Sequence, residues 1–307
     1  MSGKLTMGPV LFNWDPEEWR DFYFRVADEA DVDTVCVGET VCSKRTPFFT
    51  PFVPEVIERL EAAGKEVIVS TLALIMTERE MAEARCTSEA ADEWFVEAND
   101  ISVAGTLTGK RHAIGPLVNI YNENSLQFLV QNGATRFCLP PELPKESLAA
   151  LAKVPGAELE VVAFGRLPLA VSARCYHARS HKLQKENCQY VCNLDPDGMD
   201  LDTIDGDPFL TVNGIQTMSY TYCNLIGDLD DLREIGINRV RLSPHSCDMV
   251  RVAALFRGVM NGTMEAAEAE GEMAELVGYV PFSNGFFHGK EGVRITGALA
   301  QFGEETE

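Results

Sequence analysis

The sequence is poor in positive charge and contains no long apolar run. Its 26 lysines and arginines face 47 aspartates and glutamates, which gives a formal net charge of −21. Such a chain repels phosphate backbones except at a locally basic patch, so we expect no nucleic-acid partner. No run approaches the roughly 18 apolar residues of a membrane-spanning helix, and the opening MSGKLTMGPV lacks the basic-then-apolar order of a secretory signal. We therefore expect no membrane span and a cytoplasmic location.

Several well-known catalytic and nucleotide-binding motifs are also missing. No GxGxxG sequence follows a strand-like run, which disfavours a dinucleotide site of the usual kind. The absence of HExxH and GxSxG removes the recognisable base or nucleophile of metalloproteases and α/β-hydrolases. No two cysteines are spaced as CxxC, which disfavours thioredoxin-type redox chemistry and zinc ribbons.

Strand-like and helix-like stretches alternate along the 307 residues, 46% of which are apolar, enough to bury a sizeable core. The apolar run 5–14 is followed by Asp15 and Pro16, which are typical of a helix start, and a capping box at 77–80 predicts another. The remaining apolar runs predict strands at 34–38, 66–74, 101–104, 112–119, 135–140, 158–164, 209–215 and 239–243. Amphipathic stretches predict helices at 19–30, 54–63, 123–132, 145–153, 228–235 and 247–261.

Continuous apolar strands separated by amphipathic helices are typical of a parallel sheet covered by helices. About eight strands fit a closed barrel better than an open doubly wound sheet. The sequence therefore predicts an α/β fold, a TIM-barrel-like (β/α) barrel with residues 1–307 in one domain. The alternation stops at about 172–208, where we expect an irregular cysteine-bearing insertion with a functional role. The C-terminal GEETE, 303–307, is expected to fray.

The chain has nine cysteines, an odd number that does not suggest a disulfide framework in a reducing compartment. Cys175, Cys188 and Cys192 fall within 18 residues of the irregular segment, which is free to fold around an ion. We expect four basic neighbours to lower the thiol pKa values and favour the thiolate that binds metal. These neighbours are Arg174, Arg179, Lys182 and Lys185.

Two kinds of metal site fit these residues. His177 and His181 together with Cys188 and Cys192 have the spacing of a Cys2His2 zinc site. An iron–sulfur cluster needs a fourth thiolate, and Cys42 is the best donor because it follows a strand at the barrel end where βα loops gather. The residues alone leave both alternatives open. The other cysteines are predicted to be structural: Cys36, Cys86, Cys138, Cys223 and Cys247.

Five sequence blocks together resemble the collagenase-like peptidase family, and within it the iron–sulfur members that act in oxygen-independent ubiquinone biosynthesis. They are GETVCSKR (38–45), VSTLAL (69–74), GRLPLA with SARC (165–175), NGIQTMS (213–219) and RLSP (241–244). The likeness runs from about residue 8 to about residue 260, nearly the whole chain.

This resemblance implies a 4Fe-4S cluster on Cys42, Cys175, Cys188 and Cys192. It also implies a heterodimer with a homologous cluster-bearing subunit and cooperation with a sterol-carrier-like lipid-binding protein. Together these proteins would hydroxylate the ring of the ubiquinone precursor without oxygen, with prephenate as the oxygen donor. Four protein thiolates leave no open iron position, so a non-catalytic electron-transfer or scaffold subunit with a structural cluster or zinc ion is the alternative.

Four residues are candidates for catalysis or substrate binding. Arg174, Arg241 and His245 are suited to a dianionic donor, since guanidinium groups bind carboxylates bidentately. Structural salt bridges at strand ends are the alternative role for these three. Glu39, near Cys42, fits a base or an acceptor that orients a metal ligand, and a helix-capping carboxylate equally well.

Overall fold

Twelve strands and eleven α-helices lie within residues 3–296, the part of the chain that this computed structural model describes. The GEETE segment falls outside the described residues. The strands are β1 (Lys4–Met7), β2 (Thr34–Val37), β3 (Glu66–Ser70), β4 (Phe95–Ala98), β5 (His112–Ile114), β6 (Ala134–Cys138), β7 (Glu158–Val171), β8 (Met199–Asp202), β9 (Pro208–Asn213), β10 (Gln216–Asn224), β11 (Arg239–Leu242) and β12 (Phe282–Ser283).

The helices account for most of the remaining regular structure. They are α1 (Pro16–Glu29), α2 (Thr46–Phe49), α3 (Val53–Ala62), α4 (Glu78–Glu89), α5 (Ile101–Thr106), α6 (Glu123–Gln131), α7 (Lys145–Leu151), α8 (Tyr176–Ser180), α9 (Leu229–Glu234), α10 (Met249–Met260) and α11 (Ala266–Leu276). Over the described range, no helix combines the length and the apolar character needed to cross a bilayer.

Eight parallel strands form a closed barrel. β1 to β7 pair in chain order, and β11 pairs in parallel with both β7 and β1, which closes the ring. Helices cover the outside, and the barrel strands are buried almost throughout, with mostly apolar side chains toward the helices and both apolar and paired charged side chains toward the interior. The predicted α/β barrel is therefore confirmed.

Two predicted strands were placed wrongly. Residues 101–104 belong to helix α5, whose N-terminus is capped by the Asp100 side chain accepting the Ser102 N–H at 2.8 Å. The barrel strand is β4, and its buried Glu97 interrupts the apolar pattern that marks a strand in sequence. The predicted strand 209–215 exists as β9, but it pairs antiparallel with β8 and β10 outside the barrel.

An antiparallel extension rises from the carboxyl end of the barrel. β7 is 14 residues long, and its second half continues past the barrel and pairs with β10, which pairs with β9 and then with β8. The predicted irregular segment 172–208 leads from β7 into this extension and contains α8 and β8 between irregular stretches. The cysteine-bearing segment is therefore held above the end of the barrel where functional loops gather.

Buried ion pairs fill the barrel interior. Arg241 lies 2.5 Å from Glu97 and 2.6 Å from Glu160, and all three side chains are at most 5% exposed. Nearer the strand starts, Arg136 and Arg239 share the carboxylate of Glu158 at 2.7 and 2.9 Å. Buried charges persist only when they are paired in this way. The interior is closed below this layer, and the open space lies at the carboxyl ends of the strands.

Candidate metal centre and barrel mouth

The loop between β2 and α2 places Cys42 at the barrel rim. Gly38 begins the loop with φ of +139°, and a side chain there would collide with the carbonyl oxygen of Ser70. The Glu39 carboxylate then accepts the N–H groups of Val41 and Cys42 at 2.7 and 2.9 Å. The glycine and the carboxylate fix the backbone that carries the thiol.

Four cysteines line one cavity, called here the cysteine cavity: Cys42 comes from the β2–α2 loop and the other three come from the irregular segment 172–208. Cys175 precedes α8 and its Sγ accepts the Ala178 N–H at 3.4 Å. Cys188 and Cys192 flank a tight turn in which Gln189 and Tyr190 have φ of 50° and 56°. Besides Cys42 and these three, the cavity is lined by Lys44, Arg45, Lys185, Tyr190, Val191 and Gly214.

The Cys42 loop and the Cys188–Cys192 turn are tied directly together. The ammonium of Lys44 donates to the carbonyl oxygens of Lys185 and Glu186, each at 2.8 Å. Tyr190 packs edge-on against Phe48, with ring centroids 4.8 Å apart. These contacts position thiols that lie almost 150 residues apart in the chain.

The spacing of the sulfurs does not suit a single zinc ion. Tetrahedral ligands about 2.3 Å from zinc lie about 3.8 Å from one another. Among residues 3–296, groups of three or more His, Cys, Asp or Glu donor atoms within 4.8 Å of one another are limited to His177, His181 and Asp195. The Cys2His2 set of the sequence analysis is not brought together, since its histidines face a carboxylate instead. No three of the four cysteine sulfurs lie within 4.8 Å of one another.

Arg45 supplies the positive charge beside the thiols. Its side chain is 1% exposed, and it donates to the Leu11 carbonyl at 2.8 Å and to Asn213 Oδ1 at 2.9 Å. Its Nε is buried and has no hydrogen-bond partner within the described part of the chain. Burial lowers the pKa of Arg45, but the neighbouring Cys192, Glu39 and Cys42 outweigh that effect and raise the pKa overall.

The expected lowering of the thiol pKa values is wrong for Cys175, and Cys42 has a raised pKa as well. Burial raises the pKa of Cys42, with Arg45 opposing it only in part. Burial also raises the pKa of Cys175, and the adjacent Cys192 and Cys188 add to the rise. Three of the four basic neighbours, Arg174, Arg179 and Lys182, are exposed, so solvent screens their charge. A bound cation would be needed to hold these thiols as thiolates.

A second cavity occupies the carboxyl end of the barrel and is called here the barrel mouth. Four side chains on its wall carry a buried polar atom that has no hydrogen-bond partner among the described residues. These atoms are Thr40 Oγ1, Arg166 Nε, Gln216 Nε2 and Ser243 Oγ. Unpartnered buried polar groups are rare in proteins and indicate a missing water or ligand. All four can donate, so the mouth suits a ligand rich in acceptor oxygens.

The structure separates the predicted substrate residues. Arg241 lines the mouth, where its guanidinium is already paired with Glu97 and Glu160. His245 is buried, and its Nε2 accepts the Arg166 N–H at 3.0 Å, so Nδ1 carries the proton and donates to Asp197 at 3.2 Å. Burial lowers the pKa of His245 despite Asp197, which keeps the ring neutral. Arg174 is exposed and stands apart from the mouth wall.

A third cavity lies on the flank of the barrel and is called here the flank pocket. Apolar side chains form most of its wall, together with Glu39 and Glu80. The apolar residues include Trp19, Phe49, Val53, Ile57, Leu72 and Ile75. Burial raises the pKa of Glu39. The β2–α2 loop therefore borders all three cavities, with Glu39 on the flank pocket, Thr40 on the mouth and Cys42 on the cysteine cavity.

Comparison with known proteins identifies the family of the chain. The family model described as Peptidase family U32 matches residues 19–296. The chain belongs to peptidase family U32. The collagenase-like family indicated by the sequence blocks is thereby confirmed. A solved tryptophan synthase complex from Pyrococcus furiosus is similar over 91% of this chain and 100% of that chain, at 13% identity and a TM-score of 0.42.

Several residues of the U32 site escaped the sequence analysis although they lie in the blocks quoted there. Thr40 and Arg45 are in GETVCSKR, and Gln216 is in NGIQTMS. Arg166 and Ser243 are in GRLPLA and RLSP. Their residue types are common on protein surfaces, so the sequence offered no sign that they would be buried around one cavity. Their place inside the blocks was the available signal.

Arg45→Met should lower the free energy of unfolding by about 2–4 kcal/mol, because the Leu11 carbonyl and Asn213 lose a buried donor. Urea denaturation of the metal-free protein measures this loss. Arg59→Met is the control, since it breaks an exposed pair with Asp28 and should leave the midpoint nearly unchanged. Equal midpoints for the two variants would contradict the role given to Arg45.

Proposed function

We propose that this chain holds a 4Fe-4S cluster on Cys42, Cys175, Cys188 and Cys192 and serves as a subunit of an oxygen-independent aromatic-ring hydroxylase. The observation that carries the proposal is the convergence of these four thiols on one cavity. Two further features fit the same group. The thiols are too widely spaced for a single zinc ion, and Arg45 leaves a buried Nε without a protein acceptor beside them.

The cluster would supply one-electron transfer, and the protein residues would orient it and set its electrostatic environment. Arg45 stabilises the negative charge of the four thiolates and is itself fixed by Leu11 and Asn213. Asn213 Nδ2 donates to Gln216 Oε1 at 3.2 Å, and Gln216 lines the barrel mouth. This buried network connects the cysteine cavity with the mouth. Four thiolate ligands leave no iron position for substrate, so we place substrate in the mouth.

The finer assignment is to the UbiV group of the family, which the five sequence blocks resemble. On this proposal the chain forms a heterodimer with a UbiU-like homologous subunit and works with a sterol-carrier-like lipid-binding protein on the ubiquinone precursor. An apolar edge on the antiparallel extension supports a partner surface. Its side chains are exposed by 65% at Leu194, 38% at Leu201, 106% at Ile204 and 56% at Phe209.

The mouth is our proposed site for the oxygen donor, with prephenate as the candidate. A dicarboxylate offers acceptor oxygens to the unpartnered donors of Thr40, Gln216 and Ser243. The Arg241 guanidinium lines the same cavity and would help to orient the donor, although Glu97 and Glu160 already balance its charge. The apolar flank pocket, which shares the β2–α2 loop with the mouth, has room for the ring of a hydrophobic acceptor.

Peptide hydrolysis has less support. A serine-type mechanism needs a histidine nitrogen free to take the nucleophile's proton. His245 Nε2 instead accepts a backbone N–H, and Ser246 Oγ donates to Asp197 rather than to the imidazole. The pair therefore lacks the nucleophile-to-base contact.

The cluster is tested by purifying the protein without oxygen and measuring iron, acid-labile sulfide and zinc beside the visible spectrum. Wild type should carry about four irons and four sulfides per chain. Each of C42A, C175A, C188A and C192A should lose most of both. C86A is the matched control, because Cys86 is an exposed cysteine on α4 and should retain the full content. The proposal would be refuted if wild type bound zinc in place of iron and C42A bound as much zinc as wild type.

The donor site is tested with two substitutions that remove an unpartnered hydroxyl from the mouth. Thr40→Val and Ser243→Ala should each weaken prephenate binding by roughly 3–10-fold, the value of one lost hydrogen bond. Thr135→Val is the matched control, since it removes an unpartnered buried hydroxyl on β6, away from the mouth wall. Calorimetric titration of the anaerobic protein gives the affinities. Identical affinities in all proteins would contradict the mouth as the site and favour the scaffold alternative.

A further inference from the structure

A second group of potential metal ligands lies within the cysteine-bearing segment and uses none of its thiols. His177 is in α8, His181 follows that helix, and Asp195 comes three residues after Cys192. One donor atom from each lies within 4.8 Å of the other two. His177 Nε2 is 2.7 Å from Asp195 Oδ2, and the two imidazole rings lie nearly parallel, with centroids 6.0 Å apart.

His177 lies in α8 and His181 is the residue that caps its C-terminus, so the two imidazoles come from neighbouring turns and have nearly parallel rings. Asp195 adds a carboxylate to the two histidines. Zinc binds such a set of three ligands and keeps a fourth position for water. The ligand atoms of a tetrahedral zinc site lie about 3.4 Å apart. His181 is exposed, and binding an ion would draw the three donor atoms together from within 4.8 Å to that distance.

A simple histidine–aspartate hydrogen bond does not account for the whole group. His177 is 0% exposed, and its Nδ1 has no partner among the residues the structure describes. His181 takes no part in the bond to Asp195, and within residues 3–296 its imidazole has a ring contact with His177 and no hydrogen bond. Asp195 is about one-third exposed at its side chain, which leaves a route for an ion from solvent.

We propose that His177, His181 and Asp195 bind one divalent ion of the zinc type, independently of the four cysteines. The ion would join α8, which begins just after Cys175, to the chain just after Cys192. It would therefore fasten the two ends of the cysteine-bearing segment to each other. The site needs no cluster to exist, because its three donors are already close together.

The test is a zinc titration of the anaerobically purified full-length protein after mild chelation, in competition with a chromophoric chelator. Wild type should bind one zinc per chain, and H181A and D195N should bind it at least 10-fold more weakly. H288A is the matched control, because His288 also pairs with a carboxylate, Asp228 at 2.9 Å, but does so without a second histidine. Zinc affinity in H288A should equal that of wild type.

Iron content and a Cys188→Ala variant separate this proposal from the one above. H181A and D195N should keep the iron content of wild type, and C188A should keep its zinc while losing iron. Absence of zinc binding in wild type would overturn the inference. Zinc that survives in H181A and D195N but is lost in C188A would also overturn it, since the ion would then sit on thiols. Neither result depends on whether the cluster assignment holds.

Discussion

The buried guanidinium of Arg45 is the contact on which the arrangement of the site depends. It hydrogen-bonds Leu11 after β1 and Asn213 in β9, and it lies beside Cys42 and Cys192. One side chain therefore joins the barrel, the antiparallel extension and the cysteine cavity. A lysine could not replace it, because an ammonium lacks the planar arrangement of donors that reaches two fixed oxygens. The positive charge also offsets part of the desolvation that raises the pKa of Cys42.

The closed barrel explains why three cavities meet at one loop. Its strands all end at the same rim, so the loop after β2 is surrounded by the flank pocket, the mouth and the cysteine cavity. The ion pairs of Arg241 with Glu97 and Glu160 close the interior below the rim. On the function proposed above, a ligand in the mouth and a cluster at the cysteines would be connected through a few buried residues. Thr40 and Cys42, two positions apart, face different cavities on this loop.

The sequence was sufficient for the barrel, because strand burial leaves a strong pattern, and it also singled out the four cysteines that line one cavity. It was insufficient where burial depends on distant partners. β4 was missed since Glu97 is buried only through Arg241, which comes 144 residues later. The mouth could not be anticipated, because Thr40, Gln216 and Ser243 look like surface residues until the barrel brings them together. His177 and His181 were considered only as partners of Cys188 and Cys192. The turn that brings Asp195 to them has no recognisable sequence pattern.

The most direct test of the account is X-ray diffraction at the iron absorption edge from crystals grown without oxygen. The account predicts one strong iron anomalous peak in the cavity bounded by Cys42, Cys175, Cys188 and Cys192, next to the Arg45 guanidinium. A zinc-edge peak at those four thiols, or an iron peak elsewhere in the chain, would contradict it.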